Sequence, residues 1–171
     1  GEHMLFQQGR PAVLRGQAQP HAEIVVLFDK ARVIATANEK GRFEAILSTP
    51  KAGGPYKLAL QSGSDRIEWQ DIMVGELWLA AGQSNMEGQG MIRGEKPGTL
   101  ESLLKDPASA PRFKHLVDAQ GKWVVREDVW IWYLGRTGGL TVGYSPKGDA
   151  IGPELQFGHL VGDAFDAPVL L

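Results

Sequence analysis

The stretch Gly75-Glu76-Leu77-Trp78-Leu79-Ala80-Ala81-Gly82-Gln83-Ser84-Asn85-Met86-Glu87-Gly88-Gln89-Gly90 divides the chain in character. Residues 77–81 form an apolar run long enough for a strand buried on both faces, and small and polar residues follow at once. The pattern predicts a strand feeding a tight turn. Gly82 can take backbone angles closed to other residues, so the turn can hold Ser84 at the carboxyl edge of a sheet, where open α/β sheets bind ligands. Ser84 is therefore a candidate nucleophile. A plainer pattern overlies it: Ser84 with Glu87 at the fourth position reads as a capping box, its hydroxyl accepting a backbone N–H at a helix start. Capping serines outnumber catalytic ones, so the local sequence alone favours the cap.

The surrounding composition narrows the function classes. With 171 residues the chain can form one ordinary domain or two small ones, and 43% hydrophobic residues suffice for a real core. A net charge of -2 with both signs interspersed leaves no basic stripe for a phosphate backbone, so nucleic acid is not an expected partner. Without cysteine there is neither a disulfide framework nor a thiolate metal site. No apolar run approaches the ~18 residues of a membrane span, and no secretory core opens the sequence, so no membrane partner is expected. Gly1-Glu2-His3-Met4 resembles a tag-cleavage remnant, and its origin is open.

Upstream of the divide the pattern is all β. Residues 12–16, 23–28, 32–37, 43–47, 56–61 and 66–69 are short runs rich in β-branched and aromatic residues. Turn chemistry separates them, as in Asn38-Glu39-Lys40-Gly41 and Lys51-Ala52-Gly53-Gly54-Pro55. Strands at this spacing predict a small β-sandwich over 1–74.

Downstream, residues 88–98 read as an irregular glycine-rich stretch. Thr99 can cap a short helix that ends before Pro107, and 107–111 reads as a loop. Residues 113–117 and 122–126 flank Asp118-Ala119-Gln120-Gly121 as a hairpin, with 129–134 a further strand. The aromatics there, Trp123, Trp130, Trp132 and Tyr133, serve packing or a platform for a sugar ring. Residues 135–148 read as a second glycine-rich loop. Gly152-Pro153-Glu154 opens a helix, with Pro at its first position and an acidic first turn. Leu155, His159 and Asp163 share one face of it; Phe157, Leu160, Val161 and Ala164 supply most of its apolar contact; it ends near Phe165. Val169-Leu170-Leu171 reads as the first residues of a buried parallel strand closing a βαβ unit, and a strand begun there without its continuation suggests a fragment.

Gly82-Gln83-Ser84-Asn85-Met86, in its strand-turn context and with Ile151-Gly152-Pro153-Glu154-Leu155 downstream, resembles carbohydrate acetylesterases of the SGNH-hydrolase superfamily, specifically sialate O-acetylesterase-like proteins. Met4-Leu5-Phe6-Gln7-Gln8 and Lys51-Ala52-Gly53-Gly54-Pro55-Tyr56 are similar to that family's accessory β-domain. The resemblance implies an α/β fold, a three-layer flavodoxin-like parallel sheet over 75–171 and apparently truncated, behind a β-sandwich domain over 1–74. It implies removal of acetyl groups from sialic acid or another carbohydrate by Ser84, without cofactor or metal, and an exported protein. The Ser84 backbone N–H would be one oxyanion donor, and Gln83, Asn85 and Glu154 would support the site from behind.

The family completes that machine with a Gly N–H, an Asn side chain and a His preceded at three residues by Asp. None of His3, His21, His115 and His159 has Asp at that spacing, and Asn38 and Asn85 are the only asparagines. The resemblance therefore places these groups beyond Leu171, in a remainder of the esterase domain that can be a separate chain, and the 171 residues alone are expected to be inactive. His159 is more simply a core or boundary histidine than a base. Two other readings stay open: a carbohydrate-binding β-module in which Ser84 is only a cap, and an anion site on the backbone N–H groups of the 82–85 turn.

Overall fold

The computed structural model describes residues 3–94, 96–145 and 148–171. They gather into two compact units, Gly1–Leu77 and Trp78–Leu171.

The first unit contains β1 (Leu5–Gln7), β2 (Ala12–Gln17), β3 (Glu23–Phe28), β4 (Ala31–Thr36), β5 (Arg42–Leu47), β6 (Gly53–Ser62) and β7 (Asp65–Leu77); each of the six expected runs overlaps a strand, β1 lies outside them, and β6 begins at Gly53 within the stretch 51–55 expected as a turn. β3 pairs antiparallel with β4 and β6, β6 pairs with β7, and β1 joins β7 in parallel. β2 and β5 form a separate antiparallel pair. Period-two patterning sets burial: along β5, Phe43, Ala45 and Leu47 turn inward while Arg42, Glu44 and Ile46 face out. Both sheets contribute to one core around Phe28, whose ring meets Phe6 at 5.4 Å and Tyr56 at 6.1 Å. The Met4-Leu5-Phe6-Gln7-Gln8 segment has a physical role here. Gln7 and Gln8 donate to the Glu76 carboxylate, and Gln7 Oε1 accepts the Leu77 N–H at 2.9 Å.

The second unit contains α1 (Ser84–Glu87), β8 (Gly90–Met91), α2 (Leu100–Lys105), α3 (Ala110–Phe113), a 3-10 turn (Lys114–Leu116), β9 (Arg126–Tyr133), β10 (Arg136–Leu140), β11 (Ala150–Ile151), α4 (Pro153–Ala164) and β12 (Val169–Leu170). β12 runs parallel to β9, as expected of a βαβ closure, but β10 runs antiparallel, so the sheet is mixed rather than parallel. The cause is a two-residue connection. Leu134 and Gly135 both have positive φ, 46° and 81°, the conformation of a tight hairpin that reverses the chain directly onto β9.

Four further expectations are corrected. Residues 78–81 form no strand: β7 runs on to Leu77, and Leu79 is 91% exposed instead of buried. The Trp78 N–H donates to the Leu170 carbonyl at 2.9 Å beside β12, and the Trp78 ring meets Phe157 edge-on at 5.4 Å. Residues 113–117 are helical before Val117, because Asp106 accepts from both the N–H and the hydroxyl of Ser109 and Pro111 suits a first turn. Val117 bridges to Trp123 across the expected turn, with backbone bonds from Asp118 N–H to the Lys122 carbonyl and from Val124 N–H to the Leu116 carbonyl, and Asp118 Oδ1 accepts from the Gln120 and Lys122 N–H groups. Within 135–148, β10 replaces the expected loop start, and β8 with β11 gives the other glycine-rich stretch a short antiparallel pairing.

The fourth correction concerns the buried face of α4, which is Leu155, Gly158, His159 and Val161; Phe157 and Leu160 are exposed. Glycine decides this. A side chain at Gly158 would strike Leu140, Leu171 and Val129, and one at Gly162 would strike Val129 and Arg126, so the helix lies close on β9 along its glycine edge. The α2 start follows expectation, Thr99 Oγ1 accepting the Ser102 N–H at 3.3 Å. Among the described residues no helix is long and apolar enough to cross a membrane.

Candidate functional site

Ser84 is the first residue of α1, exposed to solvent, and the N-cap is Gln83. The Gln83 carbonyl accepts the N–H groups of Met86 at 2.8 Å and Glu87 at 3.0 Å, which builds the turn from backbone alone. The capping box is not formed: α1 has no side-chain cap, and the Ser84 hydroxyl bonds to no described residue. Gly82 also acts otherwise than expected. It has no left-handed φ; its lack of a side chain leaves room for Met86, whose Cβ would lie 3.0 Å from a Cβ at position 82. The left-handed residue is Gly88, φ 91°, where the chain leaves α1.

Glu154 meets this turn from the start of α4. Its Oε1 accepts the Gly152 N–H at 3.0 Å, while Oε2 is buried with no hydrogen-bond partner among the described residues. Gly152 is the point of contact: a Cβ there would collide with Glu154 Oε2 and lie 3.1 Å from Gly88 Cα and 3.3 Å from the Asn85 carbonyl oxygen. The Gly-Pro-Glu segment thus packs backbone to backbone against the segment that carries Ser84. The Asn85 and Gln83 side chains are exposed and make no bond to a described residue.

Tyr133, expected to pack or to face a sugar ring, has a different contact. At the end of β9 its hydroxyl donates to the Glu87 carbonyl at 3.2 Å, pinning the last residue of α1. Burial first, then the nearby Glu87 and Glu154 carboxylates, push that hydroxyl above the usual tyrosine range. Beside α1 opens a cleft of about 790 Å³, lined by Glu87, Gln89, Arg93, Trp123, Ser145 and Asp149 among others. Of the aromatic residues considered as a sugar platform, Trp123 reaches this cleft; Trp132 is exposed on β9.

The histidines of this unit do not join the Ser84 turn. His159 is 4% exposed, its ring edge-on to His115 at 4.9 Å, and its Nε2 has no hydrogen-bond partner among the described residues. Burial first, then the charges of His115 and Arg126, hold its imidazole below the usual range, so it is a neutral core group. Arg126 itself pairs with Asp128 at 2.6 Å and Asp163 at 2.7 Å, and this bonding holds the Asp128 carboxyl below the usual range. Among the described residues no three His, Asp or Glu side chains gather in a metal-binding set.

No protein-family profile matches the chain. Over 94 residues it is 27% identical to the sialate O-acetylesterase of Pongo abelii and 26% identical to that of Homo sapiens, each match covering 49% of this chain and 18% of the relative. The fold is that of a carbohydrate acetylesterase from Xanthomonas citri, XAC1771, with a TM-score of 0.64 at 22% identity over 97% of this chain and 36% of that one. The chain thus resembles carbohydrate acetylesterases in sequence and in fold, and spans well under half the length of each of these proteins.

Proposed function

We propose that these 171 residues carry the nucleophile-bearing part of a serine-type carbohydrate O-acetylesterase, an accessory β-sandwich followed by the first part of a three-layer α/β esterase domain. The observation that carries the proposal is Ser84: exposed, uncapped and unbonded at the start of α1, beside a cleft, in a chain that resembles acetylesterases. Ser84 Oγ forms a bond to the acetyl carbonyl carbon as its proton passes to a general base; the bond from that carbon to the sugar oxygen breaks, and the proton goes to the departing sugar hydroxyl. Water then releases acetate from the acyl-serine by the same route in reverse. The Ser84 N–H is one donor to the oxyanion, and Glu154 with the backbone carbonyls of Gln83 and Asn85 positions the turn.

An unassisted serine hydroxyl is a weak nucleophile, so the general base and the remaining oxyanion donors are assigned to polypeptide outside these residues, in the same or a separate chain. The substrate is an acetylated sialic acid or another acetylated carbohydrate, met outside the cytoplasm. Acetyl release from 4-nitrophenyl acetate and from O-acetylated sialic acid, by the protein with its adjoining sequence and by its Ser84→Ala variant, tests the proposal. Loss of at least about 1,000-fold on substitution is expected, and equal rates would sink the assignment. Residues 1–171 alone are expected to turn over little ester.

A further inference from the structure

We infer that the second unit binds an acidic oligosaccharide across two adjoining chambers, holding an anionic sugar in a lysine-lined chamber beyond Trp123 while a neighbouring sugar lies beside the Ser84 turn. This rests on the saccharide reading proposed above. The first chamber is the cleft of about 790 Å³ already described; the second, of about 1040 Å³, is bounded by α2, α3 and the 118–122 turn. Arg93 and Trp123 line both, so the two meet at that pair. Either chamber by itself is as large as a small-molecule site of ~300–1,000 Å³, and a ligand that fills both extends beyond one sugar ring.

Charge distinguishes the chambers. Arg93, Lys105, Lys114 and Lys122 line the second against a single carboxylate, Glu101, and Glu101 accepts from Arg93 Nε at 3.1 Å. That leaves the three lysines, none of which is ion-paired with a described residue, as exposed positive charge. The whole chain carries a net charge of -2, so this excess is local and directs an anion to one place. Leu104, Pro107, Pro111 and Trp123 supply apolar surface for the C–H faces of a sugar. The first chamber has the opposite bias, with Glu87 and Asp149 in its wall, which disfavours a uniformly charged phosphate polymer and suits a ligand charged at one end. Carboxylate and sulfate groups share the chemistry the lysines recognise.

Calorimetric titration of the purified protein with three probes tests this: a xylotetraose bearing one glucuronate, the same xylotetraose unsubstituted, and a mono-sulfated xylotetraose. An anionic probe is expected to bind about tenfold more tightly than the neutral one, with an advantage that shrinks as salt is raised. The exposed pair Lys114→Ala/Lys122→Ala removes the advantage without weakening the neutral probe; Lys114→Arg/Lys122→Arg keeps it; Trp123→Ala weakens all the probes that bind. Carboxylate above sulfate assigns a uronic-type sugar, and the reverse order a sulfated one. Equal affinity for the charged and neutral probes, no binding of any probe, or a preference that survives the alanine pair overturns the inference. Because the readout is binding, acetyl release indifferent to Ser84→Ala alongside an intact lysine-dependent preference would remove the esterase reading and leave this one standing.

Discussion

The two units bury their side chains by different means. In the first, alternating strand residues fill a core of Phe28, Leu47, Leu58, Ile72 and Val74, and no buried side-chain polar atom lacks a partner among its described residues. In the second, helix α4 reaches β9 through the glycine edge of Gly158 and Gly162, and two buried polar atoms, Glu154 Oε2 and His159 Nε2, have no partner among the described residues. A core made of apolar volume is stable by redundancy; one made of close approach and unsatisfied polar atoms gives up stability to hold a particular geometry. Among the described residues, both such atoms lie in the second unit.

The comparison is open to attack at several positions, from the largest effect to the smallest. Phe28→Ala should cost about 3–5 kcal/mol in urea unfolding, since the buried ring leaves a cavity between Phe6 and Tyr56; a loss under 1 kcal/mol would mean that the first core is not held by volume. Gly158→Leu should cost about 1–3 kcal/mol by overpacking against Leu140 and Leu171, with the first unit unaffected. Retained stability in that variant would show α4 free to lift from β9.

His159 adds a pH dependence. Its folded pKa lies below the ordinary ~6.5, so the stability from keeping it neutral is present in full above that value and is lost as pH falls through it toward the folded pKa. His159→Leu should flatten the decline between neutral and mildly acidic pH in thermal unfolding; an unchanged slope would place the titrating group elsewhere, with Asp128, held low by Arg126, contributing only in stronger acid. The smallest effect is at the hairpin. Leu134→Asn should gain up to about 1 kcal/mol, because Asn accepts the positive φ that an exposed leucine resists, and a loss instead would show that Leu134 makes packing contacts in solution.

Legibility followed the range of the interactions. Strands β2 to β5 of the first unit, the Thr99 cap, the Gly-Pro-Glu helix start and the parallel β12 were readable, because alternation, capping and turn chemistry act within a few residues. The Ser84 turn was readable as a turn, and its resemblance to acetylesterases came with it. Its competing role as a cap was equally readable and did not form, since the Gln83 carbonyl already accepts the N–H groups that build α1.

What the amino-acid sequence determined by itself is therefore the core of β2 to β5, the starts of α2 and α4, and the chemistry offered at Ser84. Only the tertiary structure decided which strands neighbour one another, which face of α4 is buried, and that Glu154, Tyr133 and Gly152 converge on α1. The physical reason is that these outcomes depend on close approaches between distant backbones. The same residues 77–81 suit a strand buried on both faces, yet with Trp78 bonded to Leu170 and packed on Phe157 the next residue, Leu79, stands in solvent. Local propensity cannot report a neighbour's position.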